Sequence, residues 1–518
     1  MRPTRRLIRY LPGDLPRYLP LGLLFLLAAA VMFFRLADKS LWNDEAFSFF
    51  VARRGPAAAV RFIAQDTQPP VYYLALSVWL ELGHGVLPLR ALSALAAALT
   101  VLPLYAAARR LFDARTAAVA GLLFALTPLV ANWGQKARPY ALQTLFLAVA
   151  YWGFVEVYCA PAARDAWIGQ GLARALRTRR IGAARTDLAW LACGLGGALA
   201  MLTQQPAGFF LLGLNVAVLL GALPRLWANR RWLINWTVSQ LVLIGVWLLW
   251  LPWFLVQIRI NLTPAQIVAR HTNFLIDGGG VVSNLEGLFG VGSLWRAETP
   301  FLALQVGLGV VGAVLLIRAR RAIPVLVPLL VPLVVCVFGF LLLNPVFGYV
   351  IGEFVFNWLP YSILLAYALV HVRPRPAAAA VFGLLLLGDI WGLRNYYETP
   401  DQPTAQVAAV IRRHMRAGDG VILSDNAAMR WTLAYYLGPR RRRQLVGLDV
   451  AAEWDFDRLL RTPTAALRQT RDWVVLPGAQ PPSVDLALLR QRMRLVLRDR
   501  IEGATVLLFE APGEAKRP

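Results

Sequence analysis

Long apolar runs separated by short polar connections recur from the N-terminus to about residue 397. A helix rises about 1.5 Å per residue and the hydrocarbon of a bilayer is about 30 Å thick, so runs near 20 residues predict membrane spans. Eleven are expected: Pro20–Ala37, Arg90–Ala108, Ala117–Trp133, Tyr140–Tyr158, Leu188–Thr203, Ala207–Leu223, Trp232–Val256, Phe301–Ile317, Ile323–Leu343, Phe354–Val372 and Ala377–Asn395. Pro70–Gly83 is too short to cross and is read as a helix lying in the interface. The pattern changes after residue 397. Short apolar runs at GDGVILSD, Gln444–Leu448, Asp472–Leu476 and Thr505–Phe509 alternate with helix-like 404–416 and Asn426–Leu437. That alternation predicts a small α/β domain. The expected fold class is therefore mainly α: a polytopic bundle of about 11 spans in residues 1–397, with a C-terminal α/β domain in 398–518. The bundle has a first outer loop with interfacial helices at 38–89 and another outer loop at 259–298.

Charge orients the bundle. Arg2, Arg5, Arg6 and Arg9 place the N-terminus inside, and the clusters at Arg109-Arg110, Arg164–Arg185, Arg225–Arg231, Arg318–Arg321 and Arg373–Arg375 then fall on the cytoplasmic side. With an odd number of spans the C-terminal domain lies outside. The first apolar run lacks a small-residue cleavage pattern and is read as a retained span. The localisation implied is a bacterial inner membrane, because arginine greatly outnumbers the three lysines, Lys39, Lys136 and Lys516, as in GC-rich genomes.

Composition narrows the function. The chain is 58% hydrophobic and carries 18 Trp, which fits a membrane protein with aromatic belts and excludes an ordinary soluble domain. Its net charge of +24 is spread in clusters between spans rather than on one face, so nucleic acid is not an expected partner. Cys159, Cys193 and Cys336 each sit in a different apolar run, and His84, His271, His371 and His414 are scattered. Neither set forms a metal-ligand pattern. No cofactor is expected to be required; a loosely held divalent cation on Asp44, Glu45 or Asp66 is the alternative.

The topology gathers polar residues at the outer ends of the spans. Asp44, Glu45 and Asp66 come from the first loop, Gln135, Lys136, Arg138 and Tyr140 from the second, and Thr203, Gln204 and Gln205 from the third. Tyr349 and Glu353 come from a later one. Carboxylates beside cations at headgroup depth suit group transfer from an anionic lipid: the acid takes the proton of an attacking hydroxyl, and Arg or Lys neutralises the departing phosphate. Taken alone, Asp44-Glu45 reads equally well as a solvated helix cap, and Arg138 also reads as a snorkelling anchor.

Several of these residues stand in an order that resembles the GT-C membrane glycosyltransferases. They are the Asp44-Glu45 pair after the first span, D-x-x-P-P-V-Y-Y from Asp66 to Tyr73, Arg90 opening the next span, RRLF at its inner end, and ARPYAL from Ala137. The nearest branch is the family-39-like one related to protein O-mannosyltransferases and aminoarabinose transferases, over residues 20–160. The resemblance implies transfer of a sugar from a polyprenyl-phosphate donor, with inversion, to an acceptor hydroxyl outside the cytoplasm. It implies Asp44 as base with Glu45 assisting, Arg138, Lys136 and Arg90 at the donor phosphate, and Asp66, Gln68, Tyr140, Gln204 and Glu353 around the substrate. The acceptor is a lipid, a glycan or a protein, and the bilayer is the medium. Three positions depart from the pattern. Gln68 stands for the usual His, Lys136 for an acid and Glu353 for an Arg, the last two reading as a compensated swap in which Lys136 faces Glu353. Two rival readings are a lipid or solute transporter and a non-catalytic accessory protein with a degenerate site.

Overall fold

The computed structural model describes residues 15–159, 167–171, 173, 177, 184–222, 230–264, 280–294, 297–321, 325–400, 402–423, 426–441, 445, 471–477, 490–491, 493–501 and 504–511. Residues 265–279 and 295–296 of the outer loop expected at 259–298 lie outside these residues, and so does the strand expected at 444–448 save for Leu445. Within the described chain the fold is predominantly helical with one four-stranded sheet near the C-terminus, as the hydropathy pattern implies. The chain forms two compact units. The first holds residues 1–36 and 51–398, and the second holds 37–50 and 399–518.

The first unit is the helical bundle. Its elements are α1 (Leu15–Phe33), α3 (Pro56–Ile63), α4 (Val71–Trp79), α5 (Val86–Leu111), α6 (Ala114–Leu126), α7 (Pro128–Gly134) and α8 (Tyr140–Cys159). Next come α9 (Arg185–Leu191), a π-turn at Ala192–Gly196, α10 (Gly197–Met201), α11 (Ala207–Ala222), α12 (Arg230–Leu248) and α13 (Leu251–Asn261). Then follow α14 (Gly280–Leu288), α15 (Glu298–Arg318), α16 (Val327–Phe347), a 3₁₀ segment at Ile351–Asn357, α17 (Trp358–His371) and α18 (Arg375–Glu398). The remaining helix, α2 (Asn43–Ala52), carries the chain from the second unit into the first.

Among the described residues six helices are long and apolar enough to cross a membrane, and eight crossings result if each of two bent pairs is one span. The bends have local causes. Thr127 precedes Pro128, is held in extended backbone and breaks α6 from α7 by 56°. Pro252 opens α13, which departs from α12 by 59°. The apolar parts of α1 and α11 are shorter helices, and the expected span at 188–203 is the broken series α9, π-turn, α10. The run at 70–83 forms α4 and a 3₁₀ turn, Leu80–Leu82.

Glycines let helices approach closely, as expected where lipid supplies no hydrophobic drive between them. A Cβ on Gly213 of α11 would lie 2.5 Å from the Pro332 Cα of α16, and one on Gly153 of α8 would lie 2.5 Å from the Ala189 carbonyl of α9. At one end of the bundle Glu156 of α8 is 6% exposed and joins two arginines. Arg185 Nη2 is 2.5 Å from Oε1 and Arg110 Nε is 3.5 Å from Oε2. These bonds tie α5, α8 and α9 together.

The second unit is an α/β layer. Its sheet has the order β1-β2-β4-β3, from β1 (Gly420–Leu423), β2 (Arg471–Pro477), β3 (Arg494–Ile501) and β4 (Ala504–Glu510). The β1–β2 pair is parallel and the others antiparallel, with Val421 opposite Trp473 and Trp473 opposite Leu508. Helices α19 (Thr404–His414) and α20 (Asn426–Arg441) cover one face, burying Val407, Ile411, Leu433 and Trp473. The N-terminal part of α2 is built into the same unit. Trp431 N donates to Asn43 Oδ1 at 2.9 Å and Leu41 N to Tyr436 Oη at 2.8 Å. The rings of Phe47 and Phe50 pack on Trp431 and that of Phe49 on Tyr435.

Candidate functional site

In the bundle the site begins at the turn after α3. Gln68 is buried there, and Pro69 and Pro70 follow it, their fixed φ setting the entry into α4. Gln257 Nε2 donates to the carbonyls of Gln68 at 2.9 Å and Ile63 at 3.0 Å, and Val71 N donates to Leu202 O at 3.0 Å. These bonds fix the turn against α10 and α13. The side-chain oxygen of Gln68 accepts from Tyr73 Oη at 2.6 Å.

Tyr73 leads to Arg138. The guanidinium is buried, its Nη1 donates to Tyr73 Oη at 3.4 Å, and its Cζ lies 5.7 Å from the Tyr140 ring centroid. Its backbone is fixed by two bonds: Arg138 N donates to Lys136 O at 2.7 Å, and Arg138 O accepts from Ser93 Oγ at 3.2 Å. Lys136 lies over the Trp133 ring at 4.3 Å. Trp133 meets Tyr140 edge-on and abuts Gly352, whose added Cβ would come within 2.5 Å of the indole. Glu353 follows Gly352 in the chain. Glu353 Oε1 accepts from Gln204 Nε2 at 2.6 Å, and Gln204 O accepts from Gln143 Nε2 at 3.4 Å. Burial and the nearby Glu353 raise the pKa of Tyr349, keeping the phenol protonated.

Six of the expected residues, Gln68, Lys136, Arg138, Tyr140, Gln204 and Glu353, thus share one network. The other four are placed differently. Arg90 is buried and its Nη1 donates to Leu36 O at 3.0 Å, so its bond ties the start of α5 to the chain following α1. Asp66 is half-buried in the turn, with its backbone N donating to Ile63 O at 3.0 Å. Asp44 and Glu45 stand in the first turn of α2, in the part that belongs to the second unit. Asp44 is half-buried, whereas Glu45 is fully buried and its Oε2 accepts from Trp42 N at 2.8 Å, satisfying an amide at the helix start.

Sequence reading missed Tyr73 and Gln257 as linkers; the Tyr-Tyr of the motif was the available signal for the first. It placed Gln135 at the outer end of its span but gave it no role. The amide of that residue donates to Met32 O at 3.0 Å and Phe34 O at 2.9 Å, capping α1. Among the described residues no three His, Cys, Asp or Glu side chains gather as a metal-ligand set.

Comparison with known proteins bears on this arrangement. Residues 67–179 match the family profile described as dolichyl-phosphate-mannose-protein mannosyltransferase. No curated protein sequence matches the chain. The fold is similar to that of ArnT from Cupriavidus metallidurans in its apo state, with a TM-score of 0.58 and 18% identity over 94% of this chain and 97% of that one. Against the same ArnT bound to undecaprenyl phosphate the TM-score is 0.60, with 17% identity over 96% of this chain and 98% of that one. An oligosaccharyltransferase from Archaeoglobus fulgidus, in complex with Zn and sulfate, matches with a TM-score of 0.52 and 12% identity over 88% of this chain and 67% of that one. The chain has the ArnT-like GT-C fold.

Proposed function

We propose that this protein is an integral-membrane glycosyltransferase that moves a sugar from a polyprenyl-phosphate donor to an acceptor hydroxyl, with inversion, at the extracytoplasmic face of a bacterial inner membrane. One observation carries the reading: a buried arginine, Arg138, fixed by Tyr73 and backed by Lys136 at the helix ends of a bundle with this fold. A buried guanidinium with its backbone and one nitrogen fixed is suited to binding a phosphodiester, which accepts paired, charge-assisted hydrogen bonds.

The chemistry follows from the roles assigned. The acceptor oxygen attacks the anomeric carbon on the face opposite the phosphate, and its proton passes to the Asp44 carboxylate. The bond from the anomeric carbon to the phosphate oxygen breaks, and the lipid phosphate leaves carrying the electron pair. Arg138 and Lys136 offset its growing charge, which is the stabilisation that matters most in such a step. Glu45 holds the start of α2, and Arg90 the start of α5, so that the groups beside them are positioned in advance. Asp66, Gln68, Tyr140, Gln204 and Glu353 surround the substrate. No resident metal is assigned, because the two cations serve the phosphate. ArnT from C. metallidurans binds undecaprenyl phosphate, which is therefore the lipid to test first.

The test is binding of undecaprenyl phosphate to the purified protein in detergent. Replacing Arg138 with Ala should weaken binding at least tenfold, while Arg138→Lys, which keeps the charge but not the fork, should fall between. Equal affinity in all three proteins would overturn the assignment.

A further inference from the structure

Of the described side chains on α13, Gln257 alone is buried, at 3% exposed, whereas Trp253, Leu255, Ile258 and Ile260 are exposed. The helix leaves α12 at the 59° bend, and Gln257 meets the turn that leads into α4. What α13 commits to the bundle there is an amide rather than an apolar face. A buried amide is stable only where its donors and its acceptor are matched.

The match fixes which way the amide points. Its nitrogen donates to the carbonyls of Ile63 at 3.0 Å and Gln68 at 2.9 Å, and its oxygen accepts from Gln205 Nε2 at 3.2 Å. Gln68 passes the constraint on. With its backbone held, its side-chain oxygen accepts from Tyr73 Oη at 2.6 Å. A phenol that gives its proton to Gln68 turns its lone pairs to the other side, where Arg138 Nη1 donates at 3.4 Å. The line Gln205, Gln257, Gln68, Tyr73, Arg138 thus joins the chain after α10, α13, the first loop, α4 and the chain before α8. Its last bond is the longest, so a displacement anywhere upstream breaks that bond first.

We propose that Gln257 is a positioning residue: it acts through Gln68 and Tyr73 to hold the Arg138 guanidinium in the orientation that meets the donor phosphate. This rests on the phosphate-binding role given to Arg138 above. Paired hydrogen bonds to a phosphate depend on the plane of the guanidinium, so a small rotation costs affinity while the charge stays in place.

The test is a double-mutant cycle on undecaprenyl phosphate affinity, with the purified full-length protein in detergent. Gln257→Met keeps the volume but removes the donors and should weaken binding about tenfold, and Tyr73→Phe alone should weaken it about fivefold. Because Gln257 acts through Tyr73, the double variant should bind no more than about twofold worse than Gln257→Met. Gln257→His, whose Nε2–H reaches about as far as the amide, should recover most of the loss. Losses that multiply, to about fiftyfold in the double variant, would show two independent effects and overturn the relay. Wild-type affinity in Gln257→Met would overturn it too. If Gln257→Met fails to fold, Gln205→Met decides by the same cycle: a loss of about threefold is expected in the wild-type background and none in Tyr73→Phe. An equal loss in both backgrounds, or none in either, would overturn the proposal. Any of these failures with normal wild-type binding strikes the positioning role alone. Failure of wild type to bind undecaprenyl phosphate would instead strike the phosphate-binding reading, and the positioning role with it.

Discussion

Asp44 and Arg138 carry the two halves of the proposed chemistry, and they are separable by mutation. Asp44→Asn keeps the shape of the side chain but removes the base. Transfer should fall by about 10²–10⁴-fold, the usual worth of a general base, while undecaprenyl phosphate still binds; an initial rate near that of wild type would take Asp44 out of the role. A different residue sets a pH response in the second unit. Asp472 on β2 is buried, and both its carboxylate oxygens have no hydrogen-bond partner among the described residues. Burial first, and the neighbouring Asp419 second, push its pKa from 3.8 up to about 7. The folded state therefore favours the neutral acid, so the stabilisation is complete below about pH 4 and is lost as the pH rises towards 7. Amide exchange in Arg471–Pro477 should be faster at pH 8 than at pH 5.5, beyond the intrinsic rise of exchange with pH, and Asp472→Asn should flatten that excess. Equal pH dependence in both proteins would contradict this account.

Helices and strands differed in how much of them the sequence disclosed. The apolar runs marked nearly every long helix, because lipid solubility writes itself into consecutive residues. The bends were harder to see. Thr127-Pro128 and Pro252 lie inside runs that read as single spans, and only the backbone geometry shows the helix ending and restarting. Strand β3 escaped notice because Arg494, Arg498 and Arg500 break up its apolar residues, as suits the edge of a sheet. The DE pair and the D-x-x-P-P-V-Y-Y run pointed to candidate residues, but the Gln204–Glu353 bond joins positions far apart in the chain and has no local signature. Close packing at glycine is similarly silent in the sequence and gives a test at this scale. Gly213→Ala should cost about 1–3 kcal/mol, since its Cβ would meet the backbone of α16 at Pro332 rather than a movable side chain. Gly383→Ala, with nothing within 4 Å, should be close to neutral. Thermal unfolding in detergent compares them directly, and equal midpoints would refute the packing argument.

The molecule as a whole is two compact units threaded by one chain, and the division runs through α2. Residues 37–50 join the C-terminal unit through Asn43, Tyr436 and the rings around Trp431. The C-terminal residues therefore fold with the segment that bears Asp44. A chain ending at Glu398 would lose those partners, so it should lose transfer even where the bundle still inserts; full transfer by the truncated chain would show that the second unit is dispensable. The central claim is cleavage of a polyprenyl-phosphate-linked sugar at its anomeric carbon. Mass spectrometry of proteoliposomes holding a synthetic polyprenyl-phosphate sugar and an acceptor glycolipid would follow the free polyprenyl phosphate released with time. Wild type should release it in step with glycosylated acceptor, and Asp44→Asn should release almost none. A donor that stays intact in the presence of wild-type protein across a panel of sugars and acceptors would contradict the account.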